Sequence, residues 1–67
     1  MQYLVLYETP DSLVLTTIGR GSLTSFINLC KRIGWQILKI ETVDPTGRVV
    51  RTAIYQNGRP VYTREVL

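Results

Sequence analysis

A helix that runs directly into a strand, within residues 22–43, is the feature that most constrains the fold. Ser22 stands at the N-cap position, where its hydroxyl can accept a hydrogen bond from a first-turn amide. Gly34 follows the helical pattern at the position that favours a left-handed residue. The sequence therefore predicts a helix over Leu23–Ile33 and a strand over Trp35–Val43. Apolar residues form one stripe at helical spacing, comprising Leu23, Phe26, Ile27, Cys30 and Ile33.

Four other segments carry the β-branched and aromatic residues typical of strands: Gln2–Glu8, Leu13–Ile18, Val49–Gln56 and Arg59–Val66. The first of these is almost continuously apolar, which favours a central strand covered on both faces. Asn57-Gly58 is the strongest hairpin signal, because a type I′ turn needs positive φ at both central positions. Pro60 has no amide hydrogen to donate, so we predict the last strand at an edge of the sheet.

The order of these predicted elements is β-β-α-β-β-β. It favours a two-layer α+β fold, with one helix packed on one face of a single, mostly antiparallel sheet. We find no linker or internal repeat, so residues 1–67 are predicted to form one small domain. A core of this size is marginally stable without a staple or a partner chain. The single cysteine cannot form an intrachain disulfide, and the absence of histidine precludes the common zinc ligand sets.

The residue types needed for catalysis do not occur in a recognisable pattern. No histidine can activate a serine or threonine, and the acidic residues show no spacing that nominates an acid–base pair. Cys30 lies on the apolar stripe, so we interpret it as a core residue rather than a nucleophile. Gly19-Arg20-Gly21 matches no phosphate-binding motif, so we interpret it as a hinge rather than an anion-binding loop. We predict no enzymatic activity, no cofactor and no metal.

The C-terminal hairpin contains the best candidate for a binding site. With Asn57-Gly58 as its turn, one face would hold Arg51, Ala53, Tyr55, Tyr62 and Arg64, and the other Val50, Thr52, Ile54, Val61 and Thr63. We predict that the valine-rich face packs on the core and that the Arg/Tyr face is exposed. The predicted like-charge pair of Arg51 and Arg64 is unfavourable unless an anionic group lies across it. The predicted binding residues are Arg51, Tyr55, Tyr62, Arg64, Arg48 and Arg59.

Arginine and tyrosine together are typical of several kinds of surface. The first hypothesis is a protein-binding module, such as an inhibitor, adaptor or accessory subunit, that docks on an acidic partner. The second is RNA or DNA binding by the same face, with tyrosines on bases and arginines on phosphates. A third is a homodimer formed by edge-strand pairing, although Pro60 disfavours that edge. The same residue types also occur on ordinary solvated faces.

The net charge and the hydropathy of the chain limit its possible partners and its cellular location. A net charge of +3 and a pI near 9.4 permit contact with an acidic protein or with nucleic acid. No apolar run approaches a membrane-spanning length, and the N-terminus lacks the pattern of a signal peptide. The single cysteine fits a reducing compartment, so we expect a cytoplasmic protein with no membrane partner. In size and basic, β-rich character the chain is similar to small proteins encoded by phages and plasmids, such as anti-CRISPR inhibitors.

Overall fold

The computed structural model describes the backbone of residues 1–64 and the side-chain surroundings of residues 1–62. One five-stranded sheet contains β1 (Gln2–Glu8), β2 (Leu13–Gly19), β3 (Gln36–Val43), β4 (Val49–Gln56) and β5 (Arg59–Arg64), in the spatial order β2-β1-β3-β4-β5. All neighbouring strands are antiparallel. The helix α1 (Leu23–Ile33) lies between β2 and β3 in the chain, which confirms the predicted two-layer α+β fold and its element order. The end of the predicted last strand, residues 65–66, lies outside the described residues.

The helix has the predicted bounds, but it begins in a different way from the one predicted. At its C-terminal end Gly34 is left-handed, with φ of 84°, and its amide donates to the Cys30 carbonyl at 2.9 Å. At its N-terminal end the Ser22 hydroxyl makes no capping hydrogen bond, so that prediction was wrong. A 3₁₀ turn over Arg20–Ser22 leads directly into α1 and holds Ser22 in a helical rather than an extended conformation. An extended N-cap is what normally aims the side chain at the first-turn amides.

Tyr7 lies at the centre of the contact between the helix and the sheet. Its ring meets Phe26 of α1 edge-on, with 5.1 Å between centroids, and stacks on Trp35 at 5.5 Å. Both geometries are favoured by the aromatic quadrupole. Cys30 is 1% exposed beside them, as predicted for a core residue, and burial raises the pKa of its thiol. The core cluster comprises Val5, Tyr7, Ile18, Cys30, Ile37 and Ile40.

Two irregularities decide which side chains of β3 and β4 face the helix. The pairing of β1 with β3 shifts between Leu6 and Tyr7, which leaves Leu38 as an extra residue. A second shift, where β3 pairs with β4, leaves Val50 unmatched. An extra residue reverses the side of the sheet on which the following residues lie. Because of the first shift, Ile37 and Ile40 both belong to the core, although they are three positions apart.

The C-terminal hairpin has the predicted register, but its two faces are the reverse of those predicted. Asn57 and Gly58 have φ of 54° and 78°, as a type I′ turn requires. The pairing of Ala53 with Ile40 places Ala53 on the helix side, where it is only 6% exposed. Ile54 and its neighbour across the hairpin are 42% and 46% exposed on the opposite side. The predicted core face, comprising Val50, Thr52, Ile54, Val61 and Thr63, was therefore wrong at Thr52, Ile54 and Val61, because the pairing with β3 and not the hairpin itself fixes the side. Val50, the extra residue, lines a depression on the helix side, and the Thr63 side chain lies outside the described surroundings.

The positions of the outer strands follow the sequence only in part. β5, which contains Pro60, lies at an edge as predicted, and β1 is an interior strand. The prediction that β1 is covered on both faces was wrong, since Leu4 and Leu6 are only half-buried on the face away from α1.

In the described part of the chain, no helix is both long and apolar enough to cross a membrane.

Candidate binding cleft

The single helix covers only part of the sheet. Five strands with a spacing of about 4.8 Å span about 19 Å between the outermost strand axes, whereas one helix with its side chains is about 10 Å wide. The α1 residues that pack against the core are Leu23, Phe26, Ile27 and Cys30, and the core partners of these residues lie on β1, β2 and β3. The helix-side surface of β4 and β5 therefore lies beside α1 rather than beneath it; Ala53 is buried there, whereas Arg51 and Tyr62 are exposed.

Two depressions lie in the surface between α1 and β4. The larger has a volume of about 500 Å³ and is bounded by Leu23 of α1 and by Arg51 of β4. The smaller has a volume of about 130 Å³ and is bounded by Ile27 and Lys31 of α1 and by Tyr55 of β4. Each has the helix as one wall and β4 as the other. We call them together the α1–hairpin cleft, which is formed by Leu23, Ile27, Lys31, Arg51, Ala53, Tyr55 and Tyr62.

Arg51 and Tyr62 form a stacked pair in the larger depression. The guanidinium carbon of Arg51 lies 4.1 Å from the centre of the Tyr62 ring. The two residues are diagonal neighbours on β4 and β5, because Arg51 pairs with Arg64 and Ala53 pairs with Tyr62. A cation over an aromatic ring at an exposed site contributes about 0.5–1 kcal/mol. This contact orients the guanidinium plane while its N–H groups stay available to a ligand.

Tyr55 is the second aromatic residue of the cleft and has a different environment. It is half-buried and packs against the core cluster, at the edge of the smaller depression. Burial raises the pKa of its hydroxyl, and the nearby Tyr62 adds a smaller effect in the same direction. Its hydroxyl is therefore protonated at neutral pH and can donate a hydrogen bond.

The structure brings together some of the predicted binding residues and separates others. Arg51, Tyr55 and Tyr62 share the cleft, and the backbone register places Arg64 opposite Arg51, although the Arg64 side chain lies outside the described surroundings. Arg48 and Arg59 flank the eight residues of β4 at opposite ends. Arg59 pairs with Gln56, one position from the helix-side pair of Tyr55 and Pro60, so strand alternation places it on the other face.

The helix wall of the cleft is the part that the sequence prediction missed. Leu23, Ile27 and Lys31 are four residues apart and therefore lie along one flank of α1. That spacing is visible in the sequence. Which strand the flank faces depends on the strand order, which no local pattern encodes.

The cleft has an excess of positive charge. Among the described residues, Lys31 and Arg51 line the two depressions and no carboxylate does. Glu41 pairs instead with Lys39 at 3.5 Å, and strand alternation places both on the face away from α1. Asp44 is engaged in the turn before β4, where its Oδ1 accepts a hydrogen bond from the Thr46 hydroxyl at 2.6 Å. An anionic ligand would therefore meet cations that no described carboxylate of the cleft neutralises.

No protein-family model, curated protein or solved structure matches this chain.

Proposed function

We propose that this protein is a non-catalytic protein-binding module, acting as an inhibitor, adaptor or accessory subunit, and that its α1–hairpin cleft captures an acidic, amphipathic helical segment of its partner. The observation that carries this proposal is the pair of depressions between α1 and β4, with Arg51 stacked on Tyr62 in the larger one. A cytoplasmic location is part of the proposal, because an unpaired cysteine such as Cys30 is typical of a reducing compartment.

The dimensions of the cleft favour a helical ligand. Packed helices lie about 8–10 Å apart, so a sheet about 19 Å wide accommodates a second helix next to α1. The helix wall extends from Leu23 to Lys31, which corresponds to about 12 Å or two helical turns. Leu23, Ile27 and Tyr55, each partly exposed, provide apolar contacts for the stripe that such a ligand presents at i, i+4 and i+7. The partner helix would thus complete the second layer of the fold.

The charges of the cleft favour an acidic ligand. The guanidinium of Arg51 can form two parallel hydrogen bonds with one carboxylate, and Lys31 places a second cation at the other end of the cleft. The net charge of +3 would also accelerate the encounter with an acidic partner at low salt. We expect Arg51 and Tyr62 to contribute most to affinity, because arginine and tyrosine dominate interface hot spots.

A displayed library of short helical peptides, with randomised charged and apolar positions, tests the proposal. We expect selection to enrich peptides with aspartate or glutamate beside an apolar i, i+4, i+7 stripe. Arg51→Ala and Tyr62→Ala should each weaken binding of an enriched peptide by about tenfold or more. Arg59→Ala is the matched control, since it removes an arginine from the same hairpin outside the cleft, and its effect should stay within about twofold.

Two results would contradict this assignment. One is enrichment without a preference for acidic peptides, and the other is affinity that Arg51→Ala and Tyr62→Ala leave unchanged.

The stacked Arg51–Tyr62 pair, with Tyr55 nearby, is also a platform of the kind that binds single-stranded nucleic acid. A backbone-amide NMR titration with a mixed single-stranded oligonucleotide therefore accompanies the selection. Shifts along the cleft that weaken steeply with salt, without acidic-peptide binding, would replace the proposed function with nucleic-acid binding.

A further inference from the structure

The face of the sheet away from α1 carries an apolar row that crosses all five strands. The strand register aligns one residue from each strand across this face: Leu15, Leu6, Lys39, Ile54 and Val61. Four of the five are aliphatic, and three of them are well exposed, with Leu15 at 62%, Val61 at 46% and Ile54 at 42%. Leu13, further along β2, is 61% exposed. A contiguous exposed patch of this kind marks an interaction surface on a soluble protein.

We propose that this face is the interface of a homodimer, in which two copies of the chain pack their sheets face to face. This goes beyond the proposed function, because the α1–hairpin cleft lies on the opposite side of the sheet. A two-fold dimer uses the same patch on both subunits, so the patch must be complementary to itself. An apolar row that crosses the sheet meets this requirement, since packed sheets bury aliphatic side chains between them.

The charges in the middle of the face also favour a second copy. Lys39 and Glu41 occupy the central strand and form an ion pair at 3.5 Å. A two-fold axis along the apolar row sets the row of one copy on the row of the other, and each lysine stays paired with the glutamate of its own copy. The centre of the face therefore carries no net charge that would oppose a second copy, whereas a strongly charged partner would find no matching surface there.

The area of the face is sufficient for a dimer. Five strands at about 4.8 Å and seven residues at about 3.3 Å give a flat area of roughly 550 Å². Projecting side chains increase the accessible area, which brings it close to the roughly 800 Å² that each partner buries in a standard interface. The small core of a single copy would gain a second apolar layer from this contact.

Sedimentation equilibrium of the full chain over a series of concentrations tests the dimer. We expect a mass that rises from 7.7 kDa towards twice that value. Ile54→Glu should weaken dimerisation by about 100-fold or more, because each dimer would bury two added carboxylates whose neighbouring cation, Lys39, is already paired with Glu41. Leu29→Glu is the matched control: Leu29 is 43% exposed on α1, close to the 42% of Ile54, and this change should leave the dimer intact. Circular dichroism checks that both variants fold.

Three outcomes would overturn the proposal: a monomer at every concentration, a dimer that Ile54→Glu leaves unchanged, or equal dissociation by Leu29→Glu. Because β4 is an interior strand, a dimer formed by edge-strand pairing would survive Ile54→Glu.

A charge exchange between Lys39 and Glu41 provides a second measurement. Lys39→Glu alone should weaken the dimer, and the double change with Glu41→Lys should restore it. Failure of the double change to restore the dimer would show that the neutral ion pair is not part of the interface, which would contradict the proposal.

Discussion

At the scale of single residues, Asp44 organises the connection that brings β4 to β3. Its Oδ1 accepts hydrogen bonds from the Thr46 hydroxyl at 2.6 Å, the Thr46 amide at 2.9 Å and the Arg48 amide at 3.0 Å. The hydrogen bond from the Thr46 side chain, followed by that from the Arg48 backbone, lowers the pKa of the Asp44 carboxyl. These bonds hold the turn that starts the strand carrying Arg51, so the cleft depends on them indirectly.

This arrangement predicts a specific dependence of stability on pH. A carboxyl with a lowered pKa in the folded state stabilises the fold above its ordinary pKa, and this contribution is lost as the pH falls through the folded-state value. We therefore expect Asp44→Asn to lower the unfolding temperature at neutral pH. The difference from the original protein should shrink as the pH is lowered below the ordinary range of aspartate.

Thermal unfolding followed by circular dichroism at a series of pH values measures this effect. Asp11→Asn removes a surface carboxylate from the other turn region, before β2, and serves as the control. A difference between Asp44→Asn and the original protein that stays constant across the acidic range would show that the Asp44 carboxylate does not carry this contribution.

At the scale of elements, the C-terminal end of α1 sets the position of Trp35 against the core. Gly34 is left-handed, and both its amide and that of Trp35 donate to the Cys30 carbonyl, at 2.9 and 3.0 Å. This cap turns the chain so that Trp35 stacks on Tyr7 at the start of β3. The same turn defines the narrow end of the α1–hairpin cleft, where Trp35 contributes to the smaller depression.

A pair of glycine substitutions tests this cap. At Gly34 an added Cβ meets no atom within 4 Å, so the φ of 84° is the only source of strain. We expect Gly34→Ala to lower the free energy of unfolding by about 1 kcal/mol, the usual penalty for a left-handed non-glycine residue. Gly21 also has open space for a Cβ but no positive φ, so Gly21→Ala should change stability by less than about 0.5 kcal/mol. Urea denaturation of both variants measures the two values, and equal values would contradict the role of the cap.

Element bounds and hairpin register were predictable because they depend on nearby residues. The helix stripe, Gly34 and Asn57-Gly58 act within a few positions, and the predicted helix has the observed ends. The faces of the hairpin were not predictable in this way. They depend on the pairing of Ala53 with Ile40 and on the extra residue Val50, which are contacts between β3 and β4. The candidate residues Arg51, Tyr55 and Tyr62 were therefore grouped correctly but expected on the wrong side of the sheet.

At the scale of the whole molecule, the two faces of the sheet have different chemistry. The α1–hairpin cleft presents Arg51 and Lys31, whereas the opposite face presents an aliphatic row around a neutral ion pair. The two surfaces share the sheet but no described side chain. Binding of a partner segment in the cleft and association of two copies should therefore be separable properties.

Two substitutions on β4 test this separation directly. Arg51→Ala should weaken binding of an acidic peptide by about tenfold while the dimerisation constant stays unchanged. Ile54→Glu should dissociate the dimer while each monomer keeps its affinity for the peptide. Peptide titration and sedimentation equilibrium on both variants give the four values. A variant that changes both properties would show that the two faces are coupled through β4.

The order of the chain adds a consequence for synthesis on the ribosome. Every member of the core cluster lies between Val5 and Ile40, so α1 and the first three strands contain most of the described core before β4 adds Ala53 and Tyr55. We expect this N-terminal part to collapse first, and β4 and β5 to join its open edge afterwards as a locally formed hairpin. The cleft would then be the last feature to appear during translation, and the proposed binding would become possible only after α1 and the first three strands had packed.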